Sequence, residues 1–158
     1  MRTFVDAAVF VRTRDEHASS KDMRAAAIWF FQQTDRELVT SALVLGQVYA
    51  ALTGGKQKRS DAFKRADLAA REIIADALPM AIAAFDAAAL TATLAILAGR
   101  DMALWDATNW ASARVAACVA YASFDRPGLP HRVGAIEFVD PLELWRAAGS
   151  TPRSPSSR

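Results

Sequence analysis

Three aspartates stand at positions in this chain where a carboxylate could take part in chemistry. Asp6 directly follows a short β-rich run at residues 3–5, and Asp125 follows the apolar run CVAYASF. Asp106 falls in the first turn of a predicted helix, where the helix dipole stabilises a negative charge. In open α/β sheets, ligands bind beyond the carboxyl ends of the strands. We therefore expect these carboxylates to lie at one edge of a sheet.

Carboxylates gathered at one sheet edge repel each other, and a bound divalent cation relieves that repulsion. Mg²⁺ takes oxygen ligands and keeps several waters. Such an ion lowers the pKa of a bound water and stabilises charge on a phosphoryl oxygen during in-line displacement. Aspartates also cap helices in many α/β proteins, so their spacing alone leaves a metal site and ordinary caps both open.

The sequence contains no pattern typical of several other common active sites. His17 and His131 both lie in polar, loop-like sequence, and no cluster of histidines and cysteines indicates zinc. The segment GGKQKRS lacks the spacing of a phosphate-binding loop, and neither G-x-S-x-G nor G-x-G-x-x-G occurs. The single cysteine, Cys118, cannot form an internal disulfide, which fits a reducing cytoplasm. We expect it to be a buried, unreactive thiol.

Strand-like and helical runs alternate along the chain, and the elements that would position the aspartates follow from this alternation. Predicted strands cover residues 3–5, 37–41, 79–85, 118–124 and 135–140, and predicted helices cover about 21–34, 42–53, 61–76, 87–98 and 104–117. Short apolar strands that alternate with helices favour an α/β fold. We predict a three-layer α/β/α sandwich around a mostly parallel central sheet.

Length and composition indicate a single globular domain. The chain has 158 residues, of which 53% are hydrophobic and 23% charged. We place the domain at residues 1–144 and expect the Ser/Pro-rich tail at 145–158 to be disordered. No apolar run is long enough to span a bilayer, and the opening residues contain no small-residue cleavage site. We therefore expect neither a membrane span nor a signal peptide.

The basic residues are unevenly distributed, although the formal net charge is only +2. The segment GGKQKRSDAFKR contains a single acidic residue and five basic ones: Lys56, Lys58, Arg59, Lys64 and Arg65. Such a run is either a solvated loop and helix face or a surface that contacts the phosphates of a polyanion. Charge alone leaves both interpretations open.

Four segments in order resemble those of PIN-domain proteins, most closely the VapC-type toxins of bacterial toxin–antitoxin pairs. TFVDAAVFV is similar to the opening strand with its first acidic residue, Asp6, and ELVTSALVLGQVYAALT to the second strand and the helix that normally presents a glutamate. LWDATNWASARVAA matches the helix with the third acidic residue, Asp106, and VAYASFD the strand that leads to a fourth, Asp125. IEFVDP is similar to the closing strand, so the resemblance covers about residues 1–144.

This resemblance implies an endoribonuclease that depends on Mg²⁺ or Mn²⁺ and cuts structured RNA, commonly tRNA or ribosomal RNA. Asp6, Asp106 and Asp125 would be the metal ligands, and the basic segment would contact the RNA backbone. The resemblance further implies a homodimer and a small antitoxin protein that lays a helix in an apolar groove. Exposed members of two apolar groups could form such surfaces, unless they are simply core: Trp29, Phe30 and Phe31, or Val44, Val48 and Leu52.

The chain departs from the family pattern in two places. The family glutamate falls on Gln47, in a helix so apolar that we expect it to be buried nearly all round. The family usually has Thr, Ser or Asn one and two positions after the first aspartate, where this chain has Ala7 and Ala8. Gln47 could coordinate through its oxygen or donate to a neighbouring aspartate. Asn109, three residues after Asp106 on the same helix face, could replace a polar contact or be an ordinary packing residue.

These observations leave two main functional hypotheses. In the first, the protein is a ribonuclease weakened by its departures, with Asp6, Gln47, Asp106 and Asp125 as the catalytic group. In the second, it is a catalytically inactive PIN-fold protein that binds RNA or a protein partner. A third interpretation, in which glutamate was changed to glutamine to silence a toxic enzyme, does not account for Ala7 and Ala8.

Overall fold

The computed structural model describes residues 1–125 and 129–149 of the chain. Its strands are β1 (Arg2–Val5), β2 (Glu37–Ser41), β3 (Ala81–Ala83), β4 (Ala120–Ala122), β5 (Arg132–Val133) and β6 (Ile136–Val139). Its α-helices are α1 (Ala7–Arg12), α2 (Lys21–Phe31), α3 (Ala42–Thr53), α4 (Asp61–Ala77), α5 (Ala87–Gly99), α6 (Leu104–Val115) and α7 (Pro141–Ala147). A 3₁₀ turn at Ala18–Ser20 precedes α2.

The strands form one mixed sheet in the order β3-β2-β1-β4-β6-β5, in which only the β5–β6 pair is antiparallel among the described residues. The chain moves from β1 through β2 to β3 in one direction and then returns across the sheet to β4. Right-handed crossovers therefore place α1–α4 on one face and α5 and α6 on the other. The predicted α/β fold with a mostly parallel sheet between helix layers is confirmed.

The core lies on both sides of the central strands. Phe4, Val39 and Tyr121 in β1, β2 and β4 are fully buried. The ring of Tyr121 stacks on Trp110 of α6 at 4.3 Å between centroids and on Phe4 at 5.5 Å. Such aromatic stacks contribute beyond the area that they bury. They fix β1 and β4 against α6, and these are the elements that carry the predicted acidic residues.

Helix α3 differs from the expectation that it would be buried nearly all round. Val44 and Val48 are fully buried, but Ala42, Gly46 and Ala50 are exposed. The expectation was wrong because small residues every fourth position form an outer face that needs no polar side chain. Gln47 lies at the border of the two faces and is half-buried.

The two apolar groups that were considered as docking surfaces lie partly in the core. Phe30, Val44 and Val48 are fully buried, whereas Trp29, Phe31 and Leu52 are partly exposed: the first group thus contributes two side chains to the surface and the second only one. Among the described residues, no helix is both long and apolar enough to cross a membrane.

The folded chain continues beyond residue 144, where the sequence analysis placed the end of the domain. Helix α7 runs to Ala147 and packs against α2. The side chain of Trp145 in this helix is buried. The Oδ1 atom of Asp140 accepts from the backbone N–H of Leu142 at 2.8 Å, and Pro141 fills the first helical position. The boundary at 144 was therefore too early by at least three residues. The predicted disordered tail from residue 150 onward lies outside the described residues.

Candidate functional site

The strand order places a candidate site at the carboxyl ends of β1 and β4. These two strands are neighbours. After β1 the chain continues to β2 on one side of the pair, and after β4 it continues to the strands on the other side. This arrangement forms a crevice at the point where the strand order reverses, which is where α/β sheets bind ligands. Asp6 directly follows β1, whereas Ser123 and Asp125 follow β4. The start of α3, after β2, is the third element at this edge.

Asp6 is the most enclosed acidic residue of the site, with 7% of its surface exposed. Its backbone N–H donates to the carbonyl of Ala122 at 3.0 Å, which ties it to the end of β4. Its Oδ2 atom accepts from the hydroxyl of Ser123 at 2.8 Å. Its Oδ1 atom accepts from the Nδ2 amide of Asn109 at 3.2 Å. Both carboxylate oxygens are therefore held by protein donors.

The same Asn109 amide nitrogen also donates to Oε1 of Gln47, at 3.0 Å. One NH₂ group thus connects Asp6 after β1 with Gln47 in α3, and it does so from α6. Asn109 is 2% exposed, and its Oδ1 atom has no hydrogen-bond partner among the described residues. The polar contact that the sequence left open for Asn109 is therefore made.

Tyr121 lies beneath this group and was not identified from the sequence. Its buried hydroxyl has no hydrogen-bond partner among the described residues, and burial, followed by the charges of Asp6 and Asp106, raises its pKa well above the usual value. The phenol therefore stays neutral. A tyrosine in the middle of a short buried strand gives no sign of a polar role, because aromatic residues are common in strands.

Ser123 also was not identified, although its position two residues before Asp125 at a strand end was a usable signal. It is fully buried, donates to Asp6, and its Oγ atom accepts from the backbone N–H of Asp125 at 3.1 Å. It thereby supplies a hydroxyl to the first aspartate from β4. Ala7 and Ala8, where the family pattern has hydroxyl or amide side chains, lie in the first turn of α1 and cannot do this.

The charge of Asp125 acts on the two other predicted aspartates. Burial raises the pKa of Asp6, hydrogen bonds from Ser123 and the backbone of Ala7 oppose this, and the charge of Asp125 raises it further. Burial is also the main cause of the raised pKa of Asp106, with the charge of Asp125 second. Asp125 itself is exposed. Within the part of the chain that the structure describes, no cationic side chain is among the causes of these pKa shifts, so the charge of the aspartates is not neutralised there.

The donor set fits a hard divalent cation in its chemistry. The carboxylates and the Gln47 oxygen are all oxygen ligands, the kind that Mg²⁺ takes. Within residues 1–125 and 129–149, however, no three His, Cys, Asp or Glu side chains already form a group that could hold a metal ion. The metal-ligand set of Asp6, Asp106 and Asp125 therefore stays a prediction.

The basic segment lies between α3 and α4 and in the first turns of α4. All five of its lysines and arginines are exposed, and Lys64 pairs with Asp61 at 3.1 Å. Lys56 and Arg65 line a cleft of about 760 Å³ together with Arg14 and His17 and with the acidic Asp15 and Glu16. The cleft beside the basic segment is therefore of mixed charge.

Two solved structures resemble the whole fold. VapC20 from Mycobacterium tuberculosis, a sarcin–ricin loop cleaving toxin, matches with a TM-score of 0.61 at 19% sequence identity, over 85% of this chain and 98% of that chain. A member of the VapBC family of toxin–antitoxin systems from the same organism, VapBC-5, matches with a TM-score of 0.58 at 12% identity, over 88% of this chain and 98% of that one.

No protein-family model matches the sequence. A search of curated proteins also gives no significant relative. The similarity therefore lies in the arrangement of the elements: the chain has the PIN-domain fold of VapC-type toxins.

Proposed function

We propose that the protein is a metal-dependent endoribonuclease of the toxin type that cleaves structured RNA. The observation that carries this proposal is the placement of Asp6 and Asp125 after the neighbouring parallel strands β1 and β4, where the charge of Asp125 contributes to raising the pKa values of both Asp6 and Asp106. A cation held at that edge would relieve the repulsion. The fold of a sarcin–ricin loop cleaving toxin supports the same substrate class.

Asp6, Asp106 and Asp125 would hold Mg²⁺ or Mn²⁺, and the bound ion would supply an activated water and stabilise the charge that develops on a phosphodiester. Ser123 and Asn109 orient the Asp6 carboxylate by donating to its two oxygens. Gln47 presents a neutral oxygen where a glutamate would add charge. Because a neutral amide is a weaker partner for a hard dication, we expect the affinity for metal to be low.

The alternative function, binding of RNA or a protein without catalysis, is favoured by one specific observation. The amide of Asn109 already satisfies Asp6 and Gln47 without a metal ion. A site that is stable in this form does not need a cation to fold. The exposed basic segment would then bind RNA without delivering it to a nuclease site.

Partners of three kinds follow from the proposal: RNA, a small antitoxin protein and a second copy of the chain. A cleft of about 450 Å³ between α1, α2 and α4 supports the antitoxin, since apolar side chains line it beside three charged ones and it could take an amphipathic helix. The apolar residues are Phe10, Ile28, Phe31, Ile73 and Met80, and the charged residues are Arg14, Arg24 and Asp76. A cytoplasmic location would give access to RNA.

The test compares cleavage of ribosomal RNA and tRNA by the chain and by Gln47→Glu, with and without Mg²⁺ or Mn²⁺. We expect cleavage only with metal and an increase of at least about tenfold in Gln47→Glu. Gln32→Glu, at an exposed position, makes the same change of charge elsewhere and should leave the rate unchanged.

Asp6→Asn is the second arm, and cleavage should be lost because the most enclosed carboxylate no longer carries a charge. Absence of cleavage in every variant, together with retained RNA binding, would overturn the enzyme proposal and favour the binding function. Cleavage that does not require metal would contradict the proposed role of the aspartates.

A further inference from the structure

The amide of Asn109 lies between two positions that the proposed nuclease would use directly. Its Nδ2 atom is 3.2 Å from Oδ1 of Asp6 and 3.0 Å from Oε1 of Gln47. These two acceptors come from different elements, the end of β1 and the middle of α3. A single NH₂ donor from α6 therefore joins them.

The orientation of this amide is determined by its neighbours. The Asp6 carboxylate presents only acceptor oxygens, so the NH₂ end of Asn109 must point toward it, and Gln47 then presents Oε1 to the same NH₂ group. The neighbouring hydroxyls of Thr108 and Ser112 donate hydrogen bonds to carbonyls of their own helix and not to Asn109. Its buried Oδ1 atom is left without a partner among the described residues. A buried acceptor without a partner is costly, which indicates that Asn109 is retained for its donor end.

A donor in this place does part of what a cation would do. Its two hydrogens direct partial positive charge toward the Asp6 carboxylate and the Gln47 carbonyl, and they occupy lone pairs that a shared metal ion would need. A glutamate at position 47 would put two carboxylates on one NH₂ group, with like charges close together. Glutamine avoids this repulsion. The residues at positions 47 and 109 therefore complement each other.

We propose, on the premise of the proposed function, that Asn109 is a positioning residue that clamps Asp6 to Gln47 and competes with the divalent metal for them. The metal-free site is then a stable resting form. Metal binding has to displace the clamp, so removing Asn109 destabilises the metal-free protein and tightens metal binding. A residue that only supported the metal ligands would have the opposite effect on metal affinity.

The test uses the full chain and measures thermal melting without metal and Mn²⁺ binding by isothermal titration calorimetry. Asn109→Ala, Gln47→Ala and the double variant form a cycle. We expect the double variant to lose less melting temperature than the sum of the single losses, because both single variants break the same hydrogen bond. Gln32→Ala, at an exposed amide, is the matched control and should show no coupling with Asn109→Ala.

Mn²⁺ binding is the decisive measurement. We expect the Kd for Mn²⁺ to fall severalfold in Asn109→Ala relative to the unchanged chain. The loss of a contact that merely supports a metal ligand would instead raise the Kd by about 10–100-fold. Asn109→Leu keeps the side-chain volume and replaces the alanine variant if that variant folds poorly. We expect the same decrease in the Kd for Mn²⁺. Asp6→Asn should remove binding and so verify the site.

Additive melting losses overturn the clamp, and an unchanged or higher Kd in both Asn109 variants overturns the competition with metal. Neither measurement involves RNA. The clamp can therefore fail while cleavage is observed, and cleavage can be absent while the clamp is present.

Discussion

At the scale of single residues, the environment of Asp6 is the most informative feature of the site. A carboxylate with 7% exposure remains ionised only if donors replace water, and here Ser123 and Asn109 do so. Burial nevertheless outweighs them, since the pKa of Asp6 is still raised. The folded state therefore binds the proton of Asp6 more tightly than the unfolded chain does.

This balance predicts how Ser123→Ala depends on pH. Because the folded pKa of Asp6 is raised, the free energy of unfolding falls as pH rises from the unfolded pKa through the folded one. Ser123 limits that fall, because it donates to the ionised form. Above the folded pKa of Asp6, where the carboxylate is ionised in both states, we expect Ser123→Ala to cost about 1.5–3 kcal/mol, typical of a hydrogen bond to a charged group.

Below the unfolded pKa of Asp6 the carboxyl is protonated in both states, and the cost of Ser123→Ala should shrink to that of a neutral hydrogen bond, about 0.5–1.5 kcal/mol. Urea denaturation of both proteins across this pH range measures the difference. Ser19→Ala, at an exposed serine, is the control and should show no pH dependence. A penalty for Ser123→Ala that is equal at all pH values would contradict the assigned role.

The acidic residues of the candidate site stand out in the sequence more than the neutral ones do. Asp6 and Asp125 directly follow apolar runs, and Asp106 falls in the first turn of a predicted helix. Tyr121 and Ser123 carry no such contrast, and their roles depend on which strand is the neighbour of β1. Strand order is set by packing over the whole sheet, so a local pattern could not show that β4 lies beside β1.

At the scale of elements, the segments missed by the sequence analysis are the short ones. Helix α1 has six residues and contains Val9, Phe10 and Val11, which have higher strand than helix propensity. It forms because packing against α2 and α3 overrides that preference. Strand β5 has two residues and exists only as a partner of β6. By contrast, the predicted strand at 37–41 is confirmed at both ends.

Helix α7 was not predicted, although Pro141 directly follows the last predicted strand and proline suits the first position of a helix. Its docking predicts that Trp145→Ala destabilises the protein strongly. Trp145 is 6% exposed, and deletion of a buried tryptophan typically costs about 3–5 kcal/mol. Urea denaturation at pH 7 measures this loss.

Arg146→Ala is the matched control within the same helix. Its pair with Asp22 is exposed and 3.8 Å long, so the change should have little effect. A loss below about 1 kcal/mol for Trp145→Ala would mean that α7 is not part of the cooperative unit. The domain would then end near residue 144, as the sequence analysis predicted.

At the scale of the whole molecule, the surface of α5 is its most unusual region. The helix has no charged residue in thirteen positions, and Leu90 and Leu94, one turn apart, are 49% and 59% exposed. The helix packs against α6, whose first residues, Leu104 and Trp105, are also more than half exposed. Large apolar side chains exposed on two helices that pack together typically mark an interface between proteins.

We expect this surface to form the proposed homodimer, and Leu94→Glu should therefore convert the protein to a monomer. A carboxylate in the centre of an apolar interface loses its water without gaining a partner, which weakens association. Leu68→Glu introduces the same charge at a leucine on α4 that is also 59% exposed. Sedimentation velocity should give a dimer for the unchanged chain and for Leu68→Glu, and a monomer for Leu94→Glu. A Leu94→Glu dimer, or a monomer in all three samples, would contradict this assignment, and equal melting temperatures of both variants would exclude unfolding as the cause.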